Sequence, residues 1–111
     1  MLKREILRDK RDFKRLYGKG KSAGGKFLVL FYFRNGHGYT RHAFLASKKV
    51  GNSVQRNRAR RLIRESYRNI ERQIKEGYDV LFIARNTIEG AHQREVEKSM
   101  YALLKKCDLL I

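Results

Sequence analysis

Proline is missing from this chain altogether, and no low-complexity stretch takes its place as a linker. Nothing therefore divides the 111 residues, which suit one domain spanning 1–111 with one modest core. Cysteine is nearly as scarce. Cys107 stands alone, so it cannot build an internal disulfide, a redox pair or a metal site. A lone thiol fits a reducing cytoplasm, and this one reads as a small core side chain. Long hydrophobic runs are absent too. The longest, Phe27 to Phe33, has seven residues, against the roughly 18 of a membrane-spanning helix. The first residues, MLKREILRDKRDF, lack the apolar stretch of a signal peptide.

Negative charge is the most telling shortage. Eleven Asp and Glu stand against 27 Lys and Arg, leaving a formal charge of +16. Self-repulsion on that scale opposes a compact state, so a polyanionic partner is implied. Nucleic acid is the leading candidate, because each phosphate met by a cation releases counterions. An anionic membrane surface is the second.

Apolar residues are present in ordinary amount, 41 % of the chain, and their periodicity outlines the elements. Asp9 to Tyr17 suits a short helix capped by Asp9, with Phe13, Leu16 and Tyr17 on one face. GKGKSAGGK (18–26) reads as a basic loop. KFLVLFYFR (26–34) reads as a strand apolar on both faces, with Phe27, Val29, Phe31 and Phe33 on one side and Leu28, Leu30 and Tyr32 on the other. NGHG (35–38) predicts a turn, with RHAFLAS (41–47) as the returning strand of a hairpin. A long helix, capped by Asn52 or Ser53, is expected to run to about Glu76 on a stripe of Ala59, Leu62, Ile63, Tyr67, Ile70 and Ile74, with Gly77 ending it. YDVLFIAR (78–85) is a further strand. Ala91 to Cys107 forms a last helix burying Val96, Met100, Leu103, Leu104 and Cys107. The class is α+β with one sheet.

The unusual stretch is KKVGNSVQRNRARRLIRE, residues 48–65, where seven of eighteen residues are Lys or Arg and the only acid comes last. On a helical wheel Asn57, Arg60, Arg61, Arg64, Arg68 and Arg72 lie opposite the apolar stripe. Arg58 lies on the flank, and Arg56 falls in the apolar sector of the first turn. A solvated face normally interleaves acids at i,i+4, and cations at a helix start oppose its dipole. The arrangement is locally unfavourable unless phosphates sit there, where backbone N–H groups already attract anions. Arg suits bidentate phosphate contacts better than Lys.

With its Lys48-Lys49, Gly51-Asn52 and Arg56-Asn57-Arg58 in this order and spacing, the stretch resembles the signature of the bacterial ribonuclease P protein family. DFKRLYGKGKS and GYDVLFIAR extend the resemblance over nearly the whole chain. The resemblance implies an α–β sandwich of about four strands in a mixed sheet with three helices. It also implies a left-handed βαβ crossover, which periodicity does not give and which the general rule opposes. It implies RNA contacts by Lys48, Lys49, Asn52, Arg56, Asn57, Arg58, Arg60, Arg61 and Arg64, and a cleft for the 5′ leader of precursor tRNA at Phe13, Tyr17 and Phe31. By themselves those three rings read as ordinary core contacts, and stacking on bases is the lesser reading. The implied partners are ribonuclease P RNA and precursor tRNA, with one protein per RNA and a monomer when alone.

No protein active site is legible. His37, His42 and His92 are scattered, and Asp79 and Glu89 belong to no metal-ligand pattern. The resemblance implies that the RNA subunit does the chemistry with Mg²⁺, the protein binding none through a recognisable motif. A general or ribosome-associated RNA-binding protein is the rival reading. A helix-turn-helix DNA binder fits less well, because the basic helix follows a strand.

Overall fold

The structure, a computed structural model, describes residues 5–111. The first four residues of the N-terminal stretch considered above lie outside it. Asp9 opens α1 (Lys10–Lys19), its carboxylate accepting the Arg11 N–H at 2.9 Å. Then follow β1 (Lys21–Gly24), β2 (Leu28–Arg34), β3 (Arg41–Leu45), α2 (Ser53–Ile70), β4 (Tyr78–Ala84) and α3 (Gln93–Lys106). The four strands form one mixed sheet in the order β1-β2-β4-β3. β2 is antiparallel to both β1 and β4, while β3 runs parallel to β4.

Two expectations about the sheet fail. The glycine-rich segment is not all loop: Lys21–Gly24 pairs with Val29 to Tyr32 as an edge strand. The hairpin of β2 and β3 does not form either, because β4 lies between them. The reason is burial. β4 is apolar on both faces and almost wholly buried, so an edge position would expose its backbone and side chains. The connection 35–40 has only to cross two strand spacings, about 10 Å. It wraps the start of β4, with the Asn35 N–H donating to the Gly77 carbonyl at 2.9 Å. Gly77 adopts φ +90°, and a Cβ there would press on the His37 carbonyl.

Two smaller corrections follow from local pairing. α2 ends at Ile70 in a short 3₁₀ turn (Glu71–Gln73) rather than running to Glu76. Beyond it the chain is taken up by the C-terminus, where Ile74 bridges Leu110 and the Lys75 N–H bonds the Leu109 carbonyl at 2.8 Å. Phe27 joins the core beneath α2 and α3 rather than the side of Phe31 and Phe33. It precedes the first paired residue, Leu28, so strand alternation does not reach it.

The faces of the sheet are covered unequally. One packs against α2 and α3 through Leu28, Leu30, Val80, Phe82, Ile63, Tyr67, Met100 and Leu104, all essentially inaccessible. The other is covered by α1, whose single buried residue is Leu16, and by Leu7 just ahead of it. Phe13, Phe31, Phe33 and Ile83 are only partly covered around it. A buried Leu is worth about 1.5–3 kcal/mol, which is little to hold a helix.

An ion-pair fork fixes where that helix sits. Arg41 of β3 donates from Nε and Nη2 to the two Asp79 oxygens, at 2.7 Å each. Its Nη1 reaches Asp12 of α1 at 3.1 Å. Asp79 is buried and also accepts from Asn35 Nδ2 at 3.0 Å. On the free side of β3, Ile6 forms a parallel bridge with His42, whose carbonyl accepts the Leu7 N–H at 2.7 Å. The His42 ring is buried between Phe44 and Tyr67, at centroid distances of 5.1 and 4.8 Å, and its Nδ1 has no partner.

Arg41→Ala leaves Asp79 buried without its cation and should cost about 3–5 kcal/mol in urea unfolding. Burial also holds the His42 imidazole down to about 4, from 6.5. Between those values the unfolded chain takes a proton that the folded one refuses. Stability should therefore be full above pH 6.5 and fall by roughly 3 kcal/mol towards pH 4. His42→Phe should flatten that part of the pH–stability curve; an unchanged slope would place the titrating group elsewhere.

Candidate nucleic-acid interface

The start of α2 is built by the motif's small and amide residues. Asn52 Oδ1 accepts the Gln55 N–H at 2.9 Å, and Gln55 Oε1 accepts the Asn52 N–H at 2.8 Å, a reciprocal cap. Gly51 sits at φ +144°, and any Cβ there would collide with the Gln55 side chain. Gly51, Asn52 and Gln55 thus aim the helix. The exposed Asn52 spends its side-chain oxygen on the cap.

The arginines beyond the cap are not equivalent. Arg58 Nη2 donates to the Ala91 carbonyl at 3.0 Å, tying α2 to the entry of α3. Beside it Gln55 Nε2 donates to Glu89 at 2.7 Å. Arg56 leans on Ser53 Oγ at 3.4 Å, and Arg60 donates to Asn57 Oδ1. Arg61 and Arg64 are exposed, with no ion pair among the described residues. Lys48 and Lys49 are exposed on the turn leading into the helix. No acid occupies the first turn, and the helix's one ion pair among the described residues, Arg68–Glu65 at 3.7 Å, lies in its second half. The sequence-derived set therefore divides into residues that build the helix start and residues that face solvent.

The three aromatic residues lie on the half-covered face of the sheet. Tyr17 of α1 meets Phe31 of β2 edge-on, with ring centroids 5.1 Å apart. Tyr17 is 48 % exposed and Phe31 half-buried. Phe13, one turn earlier, lines a groove of about 860 Å³ along the outer edge of β3. Across that groove stand Arg60, Arg61 and Arg64, with the exposed Leu45 and Val54 between the walls. The structure therefore brings one aromatic of the first set within a single groove of three arginines from the second.

Leu45 and Val54 were not singled out in the sequence. Val54 is 76 % exposed, and its one legible signal is an apolar side chain outside the helix's apolar period. This wall of cations, apolar surface and rings suits a phosphate backbone with unstacked bases. Among the described residues no three His, Cys, Asp or Glu side chains gather to hold a metal. No described helix is long and apolar enough to cross a membrane.

Known proteins share both the sequence and this geometry. The family model described as Ribonuclease P matches residues 1–108. The ribonuclease P protein component of Alkaliphilus oremlandii (strain OhILAs) is 44 % identical over 104 residues, 94 % of this chain and 91 % of that protein. That of Clostridioides difficile (strain 630) is 43 % identical over 106 residues, 95 % of this chain and 93 % of the relative. The structure of the Staphylococcus aureus RNase P protein superposes with a TM-score of 0.86 at 28 % identity, covering 96 % of this chain and 98 % of that one. The Thermotoga maritima RNase P protein gives 0.83 at 30 % identity, covering 92 % and 96 %. With the arginine helix, the mixed sheet and these matches in agreement over nearly its full length, the chain belongs to the bacterial ribonuclease P protein family.

Proposed function

We propose that this protein is the positioning subunit of ribonuclease P, holding the catalytic RNA on the N-terminal part of α2 and the 5′ leader of precursor tRNA on the half-covered sheet face. The observation that carries the reading is the sheet's unequal cover: Phe13, Phe31 and Phe33 stay partly open around α1, and Phe13 shares a groove with the exposed Arg61 and Arg64. On the RNA-subunit side, Lys48, Lys49, Arg61 and Arg64 meet phosphates directly. Asn52 and Arg58 act chiefly by fixing the helix start, while Arg56 is held by Ser53 and Arg60 by Asn57.

On the leader side, Phe13, Tyr17 and Phe31 offer ring faces and edges to unpaired bases. Such stacking contributes roughly 1–3 kcal/mol per base and needs no particular sequence. The RNA subunit and its Mg²⁺ supply the phosphodiester hydrolysis. The protein lowers repulsion where two RNAs approach and holds the scissile region in register. Its contribution to rate then comes through substrate affinity and orientation.

Purified protein incubated with precursor tRNA and Mg²⁺ should release no leader, and adding the cognate RNA should restore cleavage at the mature 5′ end. Accurate cleavage by the protein alone would overturn the assignment of the chemistry. Tyr17→Ala, at an exposed position, should weaken holoenzyme binding of precursor tRNA by about five- to a hundredfold while leaving mature tRNA unaffected. Equal losses on both substrates would show that Tyr17 does not read the leader.

A further inference from the structure

A second segregated basic surface lies on α3, outside every residue assigned above. The helix has two acids, and both are engaged. Glu95 turns back to accept the His92 N–H at 3.1 Å, and Glu97 accepts from Asn69 of α2 at 2.7 Å. Neither balances the outward side of the helix. There Arg94, Lys98, Tyr101 and Lys105 are all exposed. At 100° per residue they fall within an arc of roughly 60°, away from Val96, Met100, Leu103 and Leu104, and they span about 16 Å of helix.

The stripe is costly if it is only solvated. Arg94 and Lys98 are like charges at i,i+4, and Arg94, in the first turn, opposes the helix dipole. None of its three cations has an ion-pair partner among the described residues. Tyr101 stands in the middle at 41 % exposure, its ring uncovered. Cations at one- and two-turn intervals around an open ring match a phosphate backbone with an accessible base or ribose. They match a lipid surface poorly, since a helix lying on a membrane needs a broad apolar face, and this stripe has only Tyr101.

We propose that this stripe is a second RNA-contacting surface, gripping the phosphate backbone of the RNA subunit beside the arginine face of α2. The two helices pack side by side on the same face of the sheet, so one rigid polyanion can reach both. The inference rests on the proposed binding of the RNA subunit by α2 and extends it from one row of cations to two.

The test is binding of the full-length protein to RNA-subunit transcript across a salt series. Replacing Arg94, Lys98 and Lys105 together by Gln should make the plot of log affinity against log salt shallower by about two to three. Tyr101→Ala should weaken binding about fivefold or more. All four side chains are exposed, and an unchanged circular dichroism melt confirms the fold of each variant. An unaltered slope for the triple variant overturns the proposal. So does a loss of binding to phosphatidylglycerol vesicles with RNA affinity intact. Arg61→Ala is the control. A shallower slope there with none on α3 removes only the second surface, whereas no change at either place removes the RNA-subunit reading itself.

Discussion

The bidentate grip of Arg41 on Asp79, with its third nitrogen on Asp12, is the constraint on which the rest of the molecule depends. It joins the two parallel strands near their starts and ties α1 to them. Hydrophobic contact alone would hold that helix weakly, since one leucine is its whole buried payload. A desolvated charge pair is poor evidence for stability by itself, because desolvation offsets much of the attraction. Its strength is directional. The fork has one geometry, so α1 has one position, and the spacing between its rings and the sheet is set by a guanidinium rather than by loose packing.

Function follows from that economy. A sheet sealed on both faces would have no room for bases, and a sheet open on one face would be unstable and prone to association. Here α2 and α3 bury most of one face, while α1 covers only part of the other. At its β3 edge, that face shares a groove, through Phe13, with the arginines of α2. Strong mutual repulsion among the cations is tolerable because the core on the sealed side is continuous from Phe27 to Leu109. The surface is then free to serve a polyanion.

The parts of the fold legible in the sequence are those specified by local periodicity. α2, α3, β2 and β4 announce themselves by their apolar spacing, and the cap at Asp9 is where the sequence puts it. What the sequence hides is pairing. β1 contains glycine and lysine in place of strand formers, and only its partner β2 makes it a strand. The order of β2, β4 and β3 depends on a segment more than thirty residues downstream of the turn that seemed to close a hairpin. The charged face of the site was equally legible, because one-sign charge needs no tertiary context to be noticed. The division of labour within it was not. That Arg58 answers a carbonyl at Ala91, while Arg61 answers nothing among the described residues, is decided by where α3 begins.

The short bridge between Ile6 and His42 carries a consequence of its own. A bare edge strand is a template on which a second copy can add, strand to strand, and grow into an aggregate. Ile6 and Leu7, ahead of α1, pair with the start of the β3 edge at His42 and shorten the ladder open to a neighbour. Mutual charge repulsion then keeps copies apart only while the charge is unscreened. Where a polyanion neutralises the surface, the pairing of Ile6 and Leu7 with that edge still stands against strand addition, and charge no longer does.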